Sequence, residues 1–169
     1  MVSKKRKEFN FEKQKGEKKS TVVRFGIENL DQEVEGKQWT YKTPVPYHTD
    51  KYMQLVLLKG LKPGTLYKYQ VGDKISNEWS KVHYFNTLKD KYPLRLIMFG
   101  DMGIIPMGFL VSKEIEYHYK KEPFDLVTHV GDIVYADLGS NGKYEFQRLW
   151  DLFQRQLEPY ASRVPYMGK

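Results

Sequence analysis

Leu94-Arg95-Leu96-Ile97-Met98-Phe99-Gly100-Asp101 is a nearly continuous apolar run that stops on a Gly-Asp dipeptide. A strand buried on both faces reads this way, because neither side has to meet water. Leu126-Val127-Thr128-His129-Val130-Gly131-Asp132 repeats the pattern. Between the two runs, Met107, Val111, Ile115 and Tyr119 recur every fourth residue, with Lys113, Glu114 and Glu116 among them. That period predicts an amphipathic helix. Phe146, Leu149, Trp150, Phe153 and Leu157 mark a second helix, expected to stop at Pro159. Strand, helix, strand, helix folds as a right-handed crossover unit with two parallel strands.

Upstream the period changes to that of β structure. Thr21–Phe25, Gln38–Thr43, Met53–Leu58, Leu66–Val71 and Val82–Thr87 are short β-branched or aromatic runs separated by Gly and Pro. In Leu66–Val71, residues Tyr67, Tyr69 and Val71 alternate with Lys68 and Gln70. Short strands with such punctuation predict a small β sandwich, here with fewer strands than the roughly seven of a complete one. The fold class read from the chain is thus an incomplete β sandwich over 21–90, followed by the opening of an α/β domain over 93–169.

Charge narrows the partners. Residues 1–20 hold eight Lys and Arg against three Glu, so most of the net charge of +7 lies there and the rest is close to neutral. A basic tail of this kind is expected to be a solvated, disordered arm. A nucleic-acid-binding domain would spread its charge over a folded face, so that partner is disfavoured. No apolar run reaches the length of a membrane span, and no apolar stretch follows the basic start as in an export signal. With no cysteine, disulfides and thiolate chemistry are excluded.

The chemistry sits at the two Gly-Asp dipeptides. Ligands of open α/β sheets bind at the carboxyl ends of the strands. Neighbouring parallel strands are about 4.8 Å apart, so Asp101 and Asp132 would converge there. Two close carboxylates share a proton or hold a cation, and their oxygens suit hard cations. Tyr135, three residues after Asp132, could reach the same cavity, although on its own it reads first as a packing aromatic. His129 and His118 read as core or helix–sheet contacts, His48 and His83 as residues of the β part, and Trp39 and Trp79 as sandwich residues. Asp137 reads as a loop cap or a hydrogen-bonding neighbour of the site.

Gly100-Asp101-Met102-Gly103 and Thr128-His129-Val130-Gly131-Asp132-Ile133-Val134-Tyr135-Ala136-Asp137 together resemble the first two metal blocks of purple acid phosphatases. Trp150-Asp151-Leu152-Phe153 through Val164-Pro165-Tyr166-Met167 resembles the approach to that family's third block. Gly60-Leu61-Lys62-Pro63-Gly64-Thr65-Leu66-Tyr67 resembles its fibronectin-III-like N-terminal domain, and Leu61-x-Pro63-x-Thr65-x-Tyr67 reads as a tyrosine corner.

The resemblance implies a calcineurin-like metallophosphoesterase domain over 93–169 and acid hydrolysis of phosphate monoesters at a binuclear centre. Asp101 and Tyr135 would bind Fe(III), and Asp132 would bridge to a divalent Zn, Mn or Fe. It also implies a secreted or vacuolar setting. The third block, Gly-Asn-His-Glu or -Asp, would follow Met167, whereas the sequence reaches Lys169 without it. The expectation is therefore a fragment that binds metal weakly, lacks the family's catalytic His residues and has little activity alone. A dimer through residues 93–169 is a further expectation. Two alternatives stand beside this reading: a metallophosphoesterase using a different metal pair, and a non-catalytic fibronectin-III-like binding module.

Overall fold

Val22–Gly26 (β1) alternates little because it is a central strand: four of its five residues are buried. The computed structural model describes residues 20–42, 51–104, 106–136 and 142–168. Strand β1 pairs antiparallel with Gln32–Glu35 (β2) on one side and Leu66–Asp73 on the other. Lys37–Tyr41 (β3) and Lys51–Leu55 (β4) form a separate two-stranded sheet. Leu66–Asp73 (β5) also pairs with Glu78–Trp79 (β6) and His83–Asn86 (β7), which completes the larger sheet. Its core is Val23, Phe25 and Tyr67, against which Val34, Val56, Leu58, Leu61, Tyr69 and Phe85 pack.

The tyrosine corner is present. The Lys62 N–H donates to the Tyr67 hydroxyl at 3.0 Å, and the Tyr67 ring stacks on Phe85. Strand β2 escaped the sequence reading because Gln32, Glu33 and Glu35 are exposed and Val34 alone turns inward. Trp39 corrects an expectation, since it is 49% exposed on the hairpin and contributes nothing to the core. Trp79 lies beneath the Arg24 guanidinium, 3.8 Å from the ring centre.

The second half contains Leu96–Gly100 (β8), Met107–Lys121 (α1), Leu126–Val130 (β9), Gly142–Ala161 (α2) and Tyr166–Gly168 (β10). The strands form a parallel sheet in the order β10-β9-β8, one strand more than the sequence promised. Each step moves in the same direction across the sheet, so right-handed connections place both helices on one face. Ile97, Phe99 and Val127 face them, with Ile115, Phe153, Leu157 and Tyr160 closing the core.

The opposite face corrects the reading of strands buried on both sides. Leu96, Met98 and Val130 are more than half exposed, because among the described residues the helices cover one face only. Val127 is fully buried because it points at the helices. The stripe of α1 is also rotated from expectation. Met107 and Val111 are exposed, while Gly108, Ser112 and Ile115 are buried. Gly108 leaves room for the Met102 and Gly103 carbonyls, which a β-carbon there would strike, and Ser112 Oγ donates to the Gln156 carbonyl of α2 at 2.8 Å. His118 consequently faces solvent beside Glu114 rather than the sheet. Helix α2 runs two residues past Pro159, which lacks only its own N–H and so removes one bond from the last turn. His48, Asp137 and nearly all of the basic tail lie outside the described residues.

Candidate metal centre

Asp101 and Asp132 follow the carboxyl ends of adjacent parallel strands, where Gly100 is opposite Val130. Both carboxylates are exposed. The Asp132 N–H donates to Asp101 Oδ1 at 2.9 Å, which joins the two loops at their tips. A second bond, Gly103 N–H to the Ile133 carbonyl at 3.0 Å, joins them one step further out. Gly131 makes the approach possible. At φ +91° it holds a conformation that L residues avoid, and a β-carbon there would lie 2.5 Å from Asp101 Oδ1.

The backbone is strained at two of the three candidate residues. Asp101 has φ +47° and Tyr135 has φ +55°. Left-handed backbone at non-glycine residues is uncommon and clusters at functional sites. Tyr135 lies against the Asp101 loop, close enough that a β-carbon on Gly103 would meet its ring at 3.2 Å. Burial raises the Tyr135 phenol above its ordinary value, and the negative charges of Asp101 and Asp132 raise it further. The phenol therefore stands in the field of both carboxylates. Asp101, Asp132 and Tyr135 are brought together.

Two carboxylates and a phenol form an all-oxygen donor set, which suits a hard cation. Among the described residues, no three His, Cys, Asp or Glu side chains converge as metal ligands do. His129 takes another part. It is 1% exposed, with Nδ1 2.6 Å from the Tyr166 hydroxyl and Nε2 3.1 Å from the Asp132 carbonyl oxygen.

Sequence reasoning missed two residues of this neighbourhood. Gln156 donates from Nε2 to the carbonyls of Gly108, at 3.1 Å, and Gly103, at 3.3 Å. It thus ties the Asp101–Gly103 turn to both helices. A polar residue between Phe153 and Leu157 on the inner stripe of α2 was the available signal. Tyr166 reaches His129 from β10, and nothing local to its sequence marks that contact.

A family model described as the purple acid phosphatase N-terminal domain matches residues 7–87, from within the Lys-rich stretch to the end of β7. Purple acid phosphatase 15 of Arabidopsis thaliana is 29% identical over 175 residues, covering 88% of this chain and 32% of its own length. Acid phosphatase type 7 of Mus musculus is 36% identical over 118 residues, covering 69% of this chain and 25% of its own length. The chain belongs to the purple acid phosphatase family. Coverage of 88% is more than the β part can supply, so the similarity to this purple acid phosphatase continues into the half that holds Asp101 and Asp132. The chain spans about a third or less of the length of the curated purple acid phosphatases it matches. Some of these carry qualified names, such as probable inactive purple acid phosphatase 1 of Arabidopsis thaliana, which is 34% identical over 136 residues, 69% of this chain and 20% of its own length.

Proposed function

We propose that residues 93–169 are the opening of a metallophosphoesterase domain, preceded by a fibronectin-III-like domain over 21–90 and a basic arm over 1–20. In this reading Asp101, Asp132 and Tyr135 are metal ligands of a phosphate monoester hydrolase. One observation carries it: Asp101 and Tyr135 are both held in left-handed backbone at loops joined by the Asp132-to-Asp101 hydrogen bond. Strain of this kind persists where surrounding contacts impose it, and here it directs oxygen donors toward one another.

Fe(III) would be held by Asp101 and Tyr135, with Asp132 shared toward a divalent Zn, Mn or Fe. When bound, such cations would supply positive charge to a phosphoryl oxygen and to its leaving group. The chain's own residues orient the donors. Gly131 keeps the space beside Asp101 Oδ1 free of a side chain, Gln156 fixes the Gly103 turn, and Tyr135 remains a neutral phenol until a cation offsets the two carboxylates.

Titration of the 169-residue polypeptide with Fe(III) tests the reading. A visible phenolate-to-iron absorption is expected, weakly held and lost in Tyr135→Phe and Asp101→Asn. Turnover of an activated aryl phosphate near pH 5 is expected to stay at the level of Asp132→Asn, because the described donors complete neither metal position. Absence of the absorption at any iron concentration would overturn the ligand assignment. Two metals retained through gel filtration would overturn the half-site.

A second reading, a β-sheet binding module without catalysis, is supported by the names of several relatives as probable inactive enzymes. Limited proteolysis that leaves 21–90 intact and removes the remainder would favour it.

A further inference from the structure

We infer that Tyr166 and His129 are positioning residues that hold the Asp132 backbone carbonyl from behind, so that docking of β10 sets the geometry of the site loop. The inference rests on the ligand reading for its consequence, though not for its geometry.

His129 is fully enclosed, with its ring centre 4.7 Å from that of Phe99 and 6.1 Å from that of Phe153. A backbone carbonyl can only accept, so the contact at 3.1 Å to the Asp132 oxygen requires His129 Nε2 to carry the proton. In the neutral ring Nδ1 is then an acceptor, and the Tyr166 hydroxyl donates to it at 2.6 Å. With the ring neutral, the two bonds run in one direction: Tyr166 O–H to His129, His129 N–H to the Asp132 carbonyl. Burial keeps the Tyr166 phenol protonated, as a donor must be.

The Asp132 backbone is thereby held on both sides of its α-carbon. Its N–H donates to Asp101 Oδ1 at 2.9 Å on the site side, and its carbonyl is held by His129. Holding both sides fixes the direction in which the Asp132 side chain leaves the backbone. Tyr166 owes its place to β10, where it lies opposite Val127 and where the Val127 N–H bonds to the Pro165 carbonyl at 3.0 Å. The sheet's third strand therefore reaches the site through one buried ring. Metal sites elsewhere use such outer partners to orient their ligands, and losing one costs about 10–100-fold in affinity.

The test uses the full chain and the variants Tyr166→Phe, His129→Gln and His129→Leu. Amide exchange at Asp132 and Gly103 is read without metal, and Fe(III) affinity is read from the absorption titration. Tyr166→Phe is expected to speed Asp132 exchange by about ten-fold, since it loosens the hold on the Asp132 carbonyl. It should also weaken iron by roughly 10-fold or more. His129→Gln, whose amide can still donate to the Asp132 carbonyl, should be milder than His129→Leu. Unchanged exchange in Tyr166→Phe would overturn the inference, as would equal damage from Gln and Leu at 129. If the wild-type chain binds no iron while Asp132 exchange responds as expected, the positioning role stands and the ligand reading falls.

Discussion

Replacing Gly131 by Ala places a methyl group where Asp101 Oδ1 now sits, because the added β-carbon would lie 2.5 Å from that oxygen. Two costs follow. Alanine at φ +91° is strained by about 1–2 kcal/mol. Displacing the carboxylate breaks the bond from the Asp132 N–H, a hydrogen bond to a charged group worth about 1.5–3 kcal/mol. Both aspartates are exposed, so water recovers part of the second term and the low end applies. The total is about 2.5–3.5 kcal/mol. If the second half unfolds as one unit, the melting temperature should fall by about 10–25 °C. If the loops open locally instead, Asp132 amide exchange should rise by about 70-fold or more, since each 1.36 kcal/mol is a factor of ten. A variant that melts within about 1 °C of wild type and leaves Asp132 exchange unchanged would show that Gly131 is not what permits the two loops to meet.

Asp73 is buried, which pushes its carboxyl up, but donors from Ser20, Ile75 and Ser76 outweigh this and hold it at about 2. Its folded value lies below its unfolded one, so its stabilisation is complete above about pH 4 and fades as pH falls toward 2. Urea melts should show Asp73→Asn less stable by about 2 kcal/mol at pH 7, with the gap closing near pH 2; a gap independent of pH would contradict this. Tyr67→Phe leaves the Lys62 N–H without its partner and should cost about 1–2 kcal/mol in the same assay. The exposed Leu96, Met98, Val130 and Met167 should make the polypeptide bind apolar dyes and self-associate, and Met98→Lys should reduce both by fluorescence and sedimentation.

Much of this architecture was legible in the chain. Apolar runs ending in Gly-Asp located β8 and β9, the fourfold period located α1, and Leu61-x-Pro63-x-Thr65-x-Tyr67 located the tyrosine corner. These are local signals, carried by residues within one turn or one strand of each other. They also drew attention to Asp101 and Asp132, because strand ends are where an α/β sheet exposes side chains to a common space, whereas Tyr135 stood out only through the family resemblance. The face that each element buries was a different matter. Met107 and Val111 fit a helical stripe as well as Gly108 and Ser112 do, and only the packing of the Met102–Gly103 turn on Gly108 and of α2 on Ser112 decided between them. Leu96 and Met98 read as buried because periodicity cannot report whether a second layer lies across the sheet. The contacts from Tyr166 through His129 to the Asp132 carbonyl and the grip of Gln156 on the Gly103 turn join residues that no local signal connects. Sequence specified which donors stand at the strand ends; tertiary contacts fixed how they are aimed, because the strain and the hydrogen bonds that aim them exist only once the third strand and both helices are in place.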